Sequence, residues 1–231
     1  MLKRIVSILL LTCAGVAVLP EPAAAQRQTL NFTLGYFTVR GEDARLSGDT
    51  LVENHNFLTF DFKDFNGASV GAEWLIPIGD YFEAGAGLSF YRRTVPSVYA
   101  DFVNADGTEI EQDLRLRIIP LTATIRVLPL SRNSGVQPYF GVGLGLFNWR
   151  YSESGEFVDF RDGSIFRQSY VADGNDVGPV AFGGLRFAGD SISAGGEIRY
   201  QRAEGDLDTR FAGNKIDLGG WTYQFTFGFR F

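Results

Sequence analysis

One cysteine, one histidine and one methionine are all that this chain of 231 residues contains of those three types. Cys13 lies in an apolar N-terminal stretch, residues 5–19, preceded by Lys3 and Arg4 and broken by Pro20 and Pro22. Ala23-Ala24-Ala25 then offers an A-x-A cleavage site, so residues 1–25 read as a signal peptide. Leu11-Thr12 ahead of Cys13 fits a lipoprotein anchor poorly. Cleavage leaves a domain of residues 26–231 with no cysteine, which excludes disulfides and thiolate metal sites. Positive charge is also scarce: 21 basic against 27 acidic residues, net −6, argues against nucleic acid as a partner. No apolar run reaches the roughly 18 residues that a membrane-spanning helix needs.

What the chain has instead is alternation. In residues 219–231, Trp221, Tyr223, Phe225, Phe227, Phe229 and Phe231 occupy every second position, with Thr222, Gln224, Thr226, Gly228 and Arg230 between them. A strand sends successive side chains to opposite faces, so one face is an aromatic ladder and the other is polar and small. A barrel crossing a membrane would show the ladder to lipid and keep the polar face in its lumen. The same period recurs in residues 28–39, 68–77, 81–93, 114–128, 138–151 and 191–202, and residues 177–188 read as a strand whose faces are ambiguous, though Arg186 prefers the inside, which makes eight expected strands. The outward sets include Leu30, Phe32, Leu34 and Tyr36, then Val70, Ala72, Trp74 and Ile76, then Phe140, Val142, Leu144 and Leu146.

Short turns are expected at Gly79-Asp80, at 129–137 and at Gly189-Asp190, and long loops at 40–56, 94–113, 151–176 and 203–217. Residues 57–66 read as an extension of the second strand beyond the membrane. Arg115 and Arg117 share the parity of the outward Leu121 and Ile125, so a bulge near Pro120 is expected to reset the faces. Trp74, Trp149, Trp221, Tyr36, Tyr81, Tyr139, Tyr200 and Tyr223 fall near strand ends, where interfacial girdles lie. The fold class expected is all-β, an eight-stranded antiparallel up-and-down transmembrane β-barrel. An even strand count puts both termini on the side of the short turns, the periplasm.

The signal peptide, the strand count and the aromatic C-terminal strand ending in Phe231 resemble the small outer-membrane barrels: the OmpA transmembrane domain, OmpX and outer membrane protein W. The resemblance spans residues 26–231 and is architectural. It implies a monomer in the outer membrane, in contact with lipid. It also implies that Tyr223, Phe229 and Phe231 act as the assembly signal read by the barrel-assembly machinery. Thr226 stands where that signal usually has glycine. No wall-anchoring domain is expected, and no cofactor.

Candidate chemistry sits mainly inside the barrel. Glu73, Glu83, Arg126, Glu197, Arg199 and Arg230 should project into the lumen as a polar cluster. Eight strands leave an interior that side chains nearly fill, and charges buried there must pair. A structural ion-pair plug is the leading reading, and a proton or ion path the rival. Inward glycines, among them Gly85, Gly87, Gly141, Gly143 and Gly145, either admit bulky neighbours and curvature or leave a cavity for a small apolar ligand. His55, with Ser47 and Asp49 nearby, is the one set suggesting catalysis, and nothing in the pattern orders it, so no enzyme is expected. The acidic stretch 101–113 lacks the first Asp of a calcium loop, because Phe102 stands there, so no metal site is expected.

The role expected is structural or surface-interactive. The alternatives are a pathway for small hydrophobic molecules, as in the W-type proteins, or a secreted lipocalin-like ligand-binding barrel. The lipocalin reading would require apolar residues inward and polar ones outward.

Overall fold

The computed structural model describes residues 27–231, so the expected signal peptide lies outside the described residues. Eight long strands form the body: β1 (Thr29–Val39), β2 (Gly67–Ile78), β3 (Phe82–Val103), β4 (Glu109–Val127), β5 (Val136–Val158), β6 (Ile165–Ala188), β7 (Ile192–Gln201) and β8 (Gly220–Arg230). Each pairs antiparallel with its neighbours in sequence, and β8 closes on β1 from Thr29 opposite Arg230 to Val39 opposite Gly220. Main-chain hydrogen bonds exchanged between Gln28 and Phe231, at 2.8 and 3.0 Å, clamp the seam at its end. The ring therefore has no free edge, as any strand structure in a water-free medium requires.

The ladder on β8 points out of the ring. Phe225 is 78 % exposed, while Thr222, Thr226 and Gly228 are buried inside. Trp221 to Phe231 is eleven residues, whose ten rises give roughly 33 Å along the strand and about 25 Å of height once tilted, the thickness of an outer-membrane apolar band. Outward apolar residues continue that belt on every strand, including Leu34, Val70, Leu88, Ile125, Val142, Val177 and Ile198. On β6 the outward set is Val177, Pro179, Ala181, Leu185 and Phe187, with Phe182 and Arg186 turned inside.

Beyond the belt the ring gives way to a four-stranded extension of β3 to β6. β5 has 23 residues and β6 has 24, against the 9–11 or so that a membrane crossing takes. The expected loops 94–113 and 151–176 are therefore mostly strand, and they turn only at Asn104–Gly107 and near Gly163, where Gly107 and Gly163 adopt positive φ. The expected bulge at Pro120 is absent. The β4–β5 register runs without a break from Val127 to Gln112, and the one shift on the β3 side lies between Val98 and Val103. The faces of β4 are never reset. Arg126, Thr124 and Thr122 are buried inside, and so, on the same parity, are Ile118, Leu116, Leu114 and Ile110. Leu121 and Ile125 are exposed outside, followed on that face by Arg117, Arg115, Asp113 and Glu111. The chemistry of both faces inverts while the geometry stays the same. One end of the structure is apolar outside and the other polar outside.

The inverted half has a core of the water-soluble kind, with Phe37, Leu58, Phe65, Leu114, Leu116, Phe147, Trp149, Tyr151, Ile216 and Leu218 among its buried residues. Trp149 and Tyr139 are therefore not girdle residues. Both fall on the inward parity of β5 and are buried. The segment after β1 is not an open loop: it carries a helix, α1 (Thr50–His55). Residues 57–66 do not extend β2. Leu58–Thr59 pairs with β3 at Tyr99 and Val98, and a 3-10 turn at Phe62–Phe65 then folds Phe60, Phe62 and Phe65 into the core. These aromatics pack there because the far bore, unlike the near one, is lined with apolar side chains that they can cover.

Candidate functional site

The lumen inside the apolar belt holds a charge cluster. Arg126 on β4 is 1 % exposed, and its Nη2 donates to Glu73 Oε2 at 2.6 Å. The same guanidinium lies 3.6 Å from Glu197 and 3.9 Å from Glu83. Arg186 Nη2 donates to Glu83 Oε1 at 2.8 Å, and Arg199 Nε donates to Glu197 Oε1 at 2.9 Å. Three guanidiniums thus meet three carboxylates, contributed by β2, β3, β4, β6 and β7. Neutral donors add to the set: Thr124 Oγ1 to Glu73 at 3.1 Å, Tyr139 Oη to Glu197 at 3.1 Å and Gln224 Nε2 to Glu197 at 2.8 Å. Arg126 also lies over the rings of Tyr139 and Phe182, at 4.4 and 5.2 Å from their centroids.

Five of the six expected lumen charges meet here. The sixth, Arg230, does not. It sits at the terminal rim, where Nη1 donates to the carbonyl of Gly189 at 2.8 Å. It is the last residue of β8, opposite Thr29, and makes no ion pair within 4.0 Å among the described residues. Arg186 takes its place from β6, a strand whose faces are ambiguous in the sequence although Arg186 itself reads as inward. Gln137, which accepts from Arg186 Nε at 2.8 Å, carries no sequence signal, since a lone buried amide looks like any turn residue.

The inward glycines hold room that is already occupied. A Cβ on Gly85 would collide with Thr124 Oγ1 and lie 2.8 Å from Glu73 Oε1, and one on Gly141 would meet the Phe182 ring. Between the charge cluster and the far core, the bore keeps a void of about 30 Å³, lined by Thr33, Ser89, Tyr91, Thr122, Arg199 and Gln201. That is space for about one water.

The far half is tied down by a second buried network. Asp49 caps α1, accepting from the amides of Leu51 and Val52 at 3.0 and 3.4 Å. It takes a bidentate pair from Arg45, at 2.9 and 3.0 Å, and the amide of Asp217 at 2.6 Å. Arg40 reaches Asp217 at 3.0 Å. Asp49 is therefore spoken for. His55 stands away from it, exposed, 3.5 Å from Glu42 and edge-on to Phe60 and Phe62. Ser47 is exposed. The structure does not bring these three together. Asn104, Asp106 and Thr108 bond to one another in a hairpin tip.

Glu153 on β5 lies in the same half, accepting from Asn54 Nδ2 at 2.6 Å and Tyr151 Oη at 2.8 Å. Burial raises its pKa above the ordinary 4.5, outweighing both hydrogen bonds. A raised carboxylate favours the protonated folded state. The stability it contributes is complete below the unfolded value and is lost as pH rises through the folded one. Glu153→Gln should thus raise the thermal midpoint of this half at neutral pH and leave it little changed in acid. Equal effects at both pH values would contradict this account.

Tyr223, Phe229 and Phe231 all lie on the outer face of the seam strand, each about half exposed or more.

No protein-family model and no curated protein matches the chain. Among solved structures it is similar to the outer membrane protein OprG of Pseudomonas aeruginosa, at 14% identity and a TM-score of 0.49, over 90% of this chain and 96% of that one. It is similar also to outer membrane protein W of E. coli, at 13% identity and a TM-score of 0.44, over 90% and 100% of the two chains. The Neisserial surface protein A matches at 13% identity and a TM-score of 0.45, over 89% and 96%.

Proposed function

We propose that this chain is an integral outer-membrane β-barrel with a sealed bore, which anchors a water-exposed β-rich head on the cell surface in a structural or surface-interactive role. The observation that carries this reading is the inversion along β3 to β6: apolar outside and charged inside at one end, polar outside and apolar inside at the other. A lipocalin-like barrel in water would bury its apolar face over its full height, whereas here Phe225, Val142, Val177 and Phe231 stand exposed around ion pairs. In lipid, each such side chain gains roughly 1.5–3 kcal/mol over its place in water.

The termini and the short turns share the membrane-level end, which favours periplasmic termini and an outward head. The aromatic seam strand, with Tyr223, Phe229 and Phe231, would be what the barrel-assembly machinery reads. The chain is read as a monomer and as no enzyme. The filled bore counts against the rival pathway for small hydrophobic molecules along the barrel axis.

Envelope fractionation with heat-modifiable gel mobility tests the reading, followed by planar-bilayer conductance. The expected result is outer-membrane protein that shifts on boiling and gives no conductance steps. Soluble periplasmic protein would overturn the membrane reading. Steady conductance would overturn the sealed bore.

A further inference from the structure

The outer surface carries a basic cluster exactly one step above the apolar belt on two strands, and two steps above it on a third. Arg92 on β3 is opposite Arg117 on β4, and Arg117 is opposite Arg150 on β5. Arg115 follows one step higher on the same face of β4. On β3 the preceding outward residue is Phe90, on β4 it is Ile119, and on β5 Leu146 is followed by Asn148 and then Arg150. Opposed residues on neighbouring strands have Cβ atoms about 4.5–5.5 Å apart, and like charges placed so destabilise the sheet. Among the described residues, none of the four arginines makes an ion pair within 4.0 Å, although Asp173 is opposite Arg150 on β6. Arg115 Nε donates to Thr94 at 3.0 Å and Arg117 Nη2 to Asn148 at 3.2 Å, while Arg117 Nε is buried with no partner. With Ser152, Ser154 and Ser169, the four line a recess of about 310 Å³.

We propose that this cluster binds the phosphorylated headgroup of an outer-leaflet lipid, an inference that rests on the outer-membrane reading with the head outward. A charged row that borders the acyl-chain belt lies at headgroup depth. A lipid seated there would lay its chains on Phe90, Leu121 and Leu146 and its phosphates among the guanidiniums. Guanidinium forks match phosphate oxygens bidentately, and one bridging anion would relieve the repulsion of the whole row. The chain as a whole is acidic, at net −6, so the attraction belongs to this patch and not to the protein's overall charge.

The test uses purified full-length barrel in neutral detergent. The probes are bis-phosphorylated lipid A, the same lipid stripped of its phosphates, and inorganic pyrophosphate. Wild type should bind the phosphorylated lipid, with a raised thermal midpoint. The Arg92→Gln/Arg117→Gln/Arg150→Gln variant should bind about tenfold or more weakly. A variant with equal charge change elsewhere, Arg161→Gln/Arg202→Gln/Arg210→Gln, should bind as wild type does.

Undiminished binding by the first variant, an equal loss in the second, or equal binding of stripped lipid would overturn the proposal. Pyrophosphate binding as tight as that of the lipid would assign the cluster to soluble anions, and so would overturn the lipid source. Heat-modifiable mobility and membrane fractionation of the same preparations report separately on the barrel itself. A variant that inserts and shifts normally yet keeps its lipid affinity sinks this site alone. Wild type that fails to fractionate with the membrane sinks the reading beneath it.

Discussion

Arg126→Met is expected to lower the stability of the barrel by about 3–5 kcal/mol, the range found when one partner of a buried ion pair is removed. Arg126 is the hub of the lumen, within 4 Å of Glu73, Glu83 and Glu197. Its loss leaves three buried carboxylates facing two guanidiniums. Arg186 can still hold Glu83, and Arg199 can hold Glu197, but Glu73 keeps only Arg199, at 3.5 Å, and the Thr124 hydroxyl. Methionine fills much of the space and lies acceptably against Tyr139 and Phe182, so the loss reports charge rather than a cavity. Urea midpoints of the heat-modifiable form measure it. Adding Glu73→Gln should recover a large part of the loss, because the orphaned charge goes with it. If the single variant unfolds at the wild-type midpoint, the cluster is not what holds the lumen together.

The second large effect is expected at the other end. Asp49→Ala should cost the head about 3–5 kcal/mol while leaving the membrane-level ring assembled. Asp49 is fully buried, and its two oxygens serve the Arg45 guanidinium and three backbone amides. Removing it strands the Arg45 charge and uncaps α1, the cap alone being worth about 1 kcal/mol. Proteolysis should then cut within residues 40–56, and exchange protection should fall in α1, with boiling-dependent mobility unchanged. Asp49→Asn keeps acceptor atoms for the amides and should lose less. Loss of the heat-modifiable form in Asp49→Ala would mean that head and ring fold as one unit.

Much of this molecule was legible from alternation alone. The β8 ladder, the belt residues of β1, β2, β3 and β5, and the inward parity of Glu73, Glu83, Arg126, Glu197 and Arg199 all follow from period two, because a strand admits no other placement. The turns at Gly79-Asp80 and Gly189-Asp190 were marked by their residues. The errors cluster where the solvent changes. Arg115 and Arg117 on an outward face suggested a bulge, because lipid was assumed over the whole height of β4. Trp149 and Tyr139 suggested a girdle, because aromatics near strand ends usually anchor at the interface. The stretches 94–113 and 151–176 suggested loops, because their polarity matched no lipid-facing strand.

By itself, then, the sequence determined the strand period, the closing strand and the residues on each parity, since these depend only on backbone geometry and neighbours in the chain. The belt faces were already assigned by the pattern; only the closed structure decided that the same parity turns polar outside and apolar inside in the far half of β3 to β6. The same alternating pattern serves a membrane wall or a soluble core, and the choice rests on the medium outside each level of the barrel. Closure also chose the partners in the lumen, bringing Arg186 in from β6 and leaving Arg230 at the rim. Charges contributed by separate strands meet only after the sheet has curled round to bring them together.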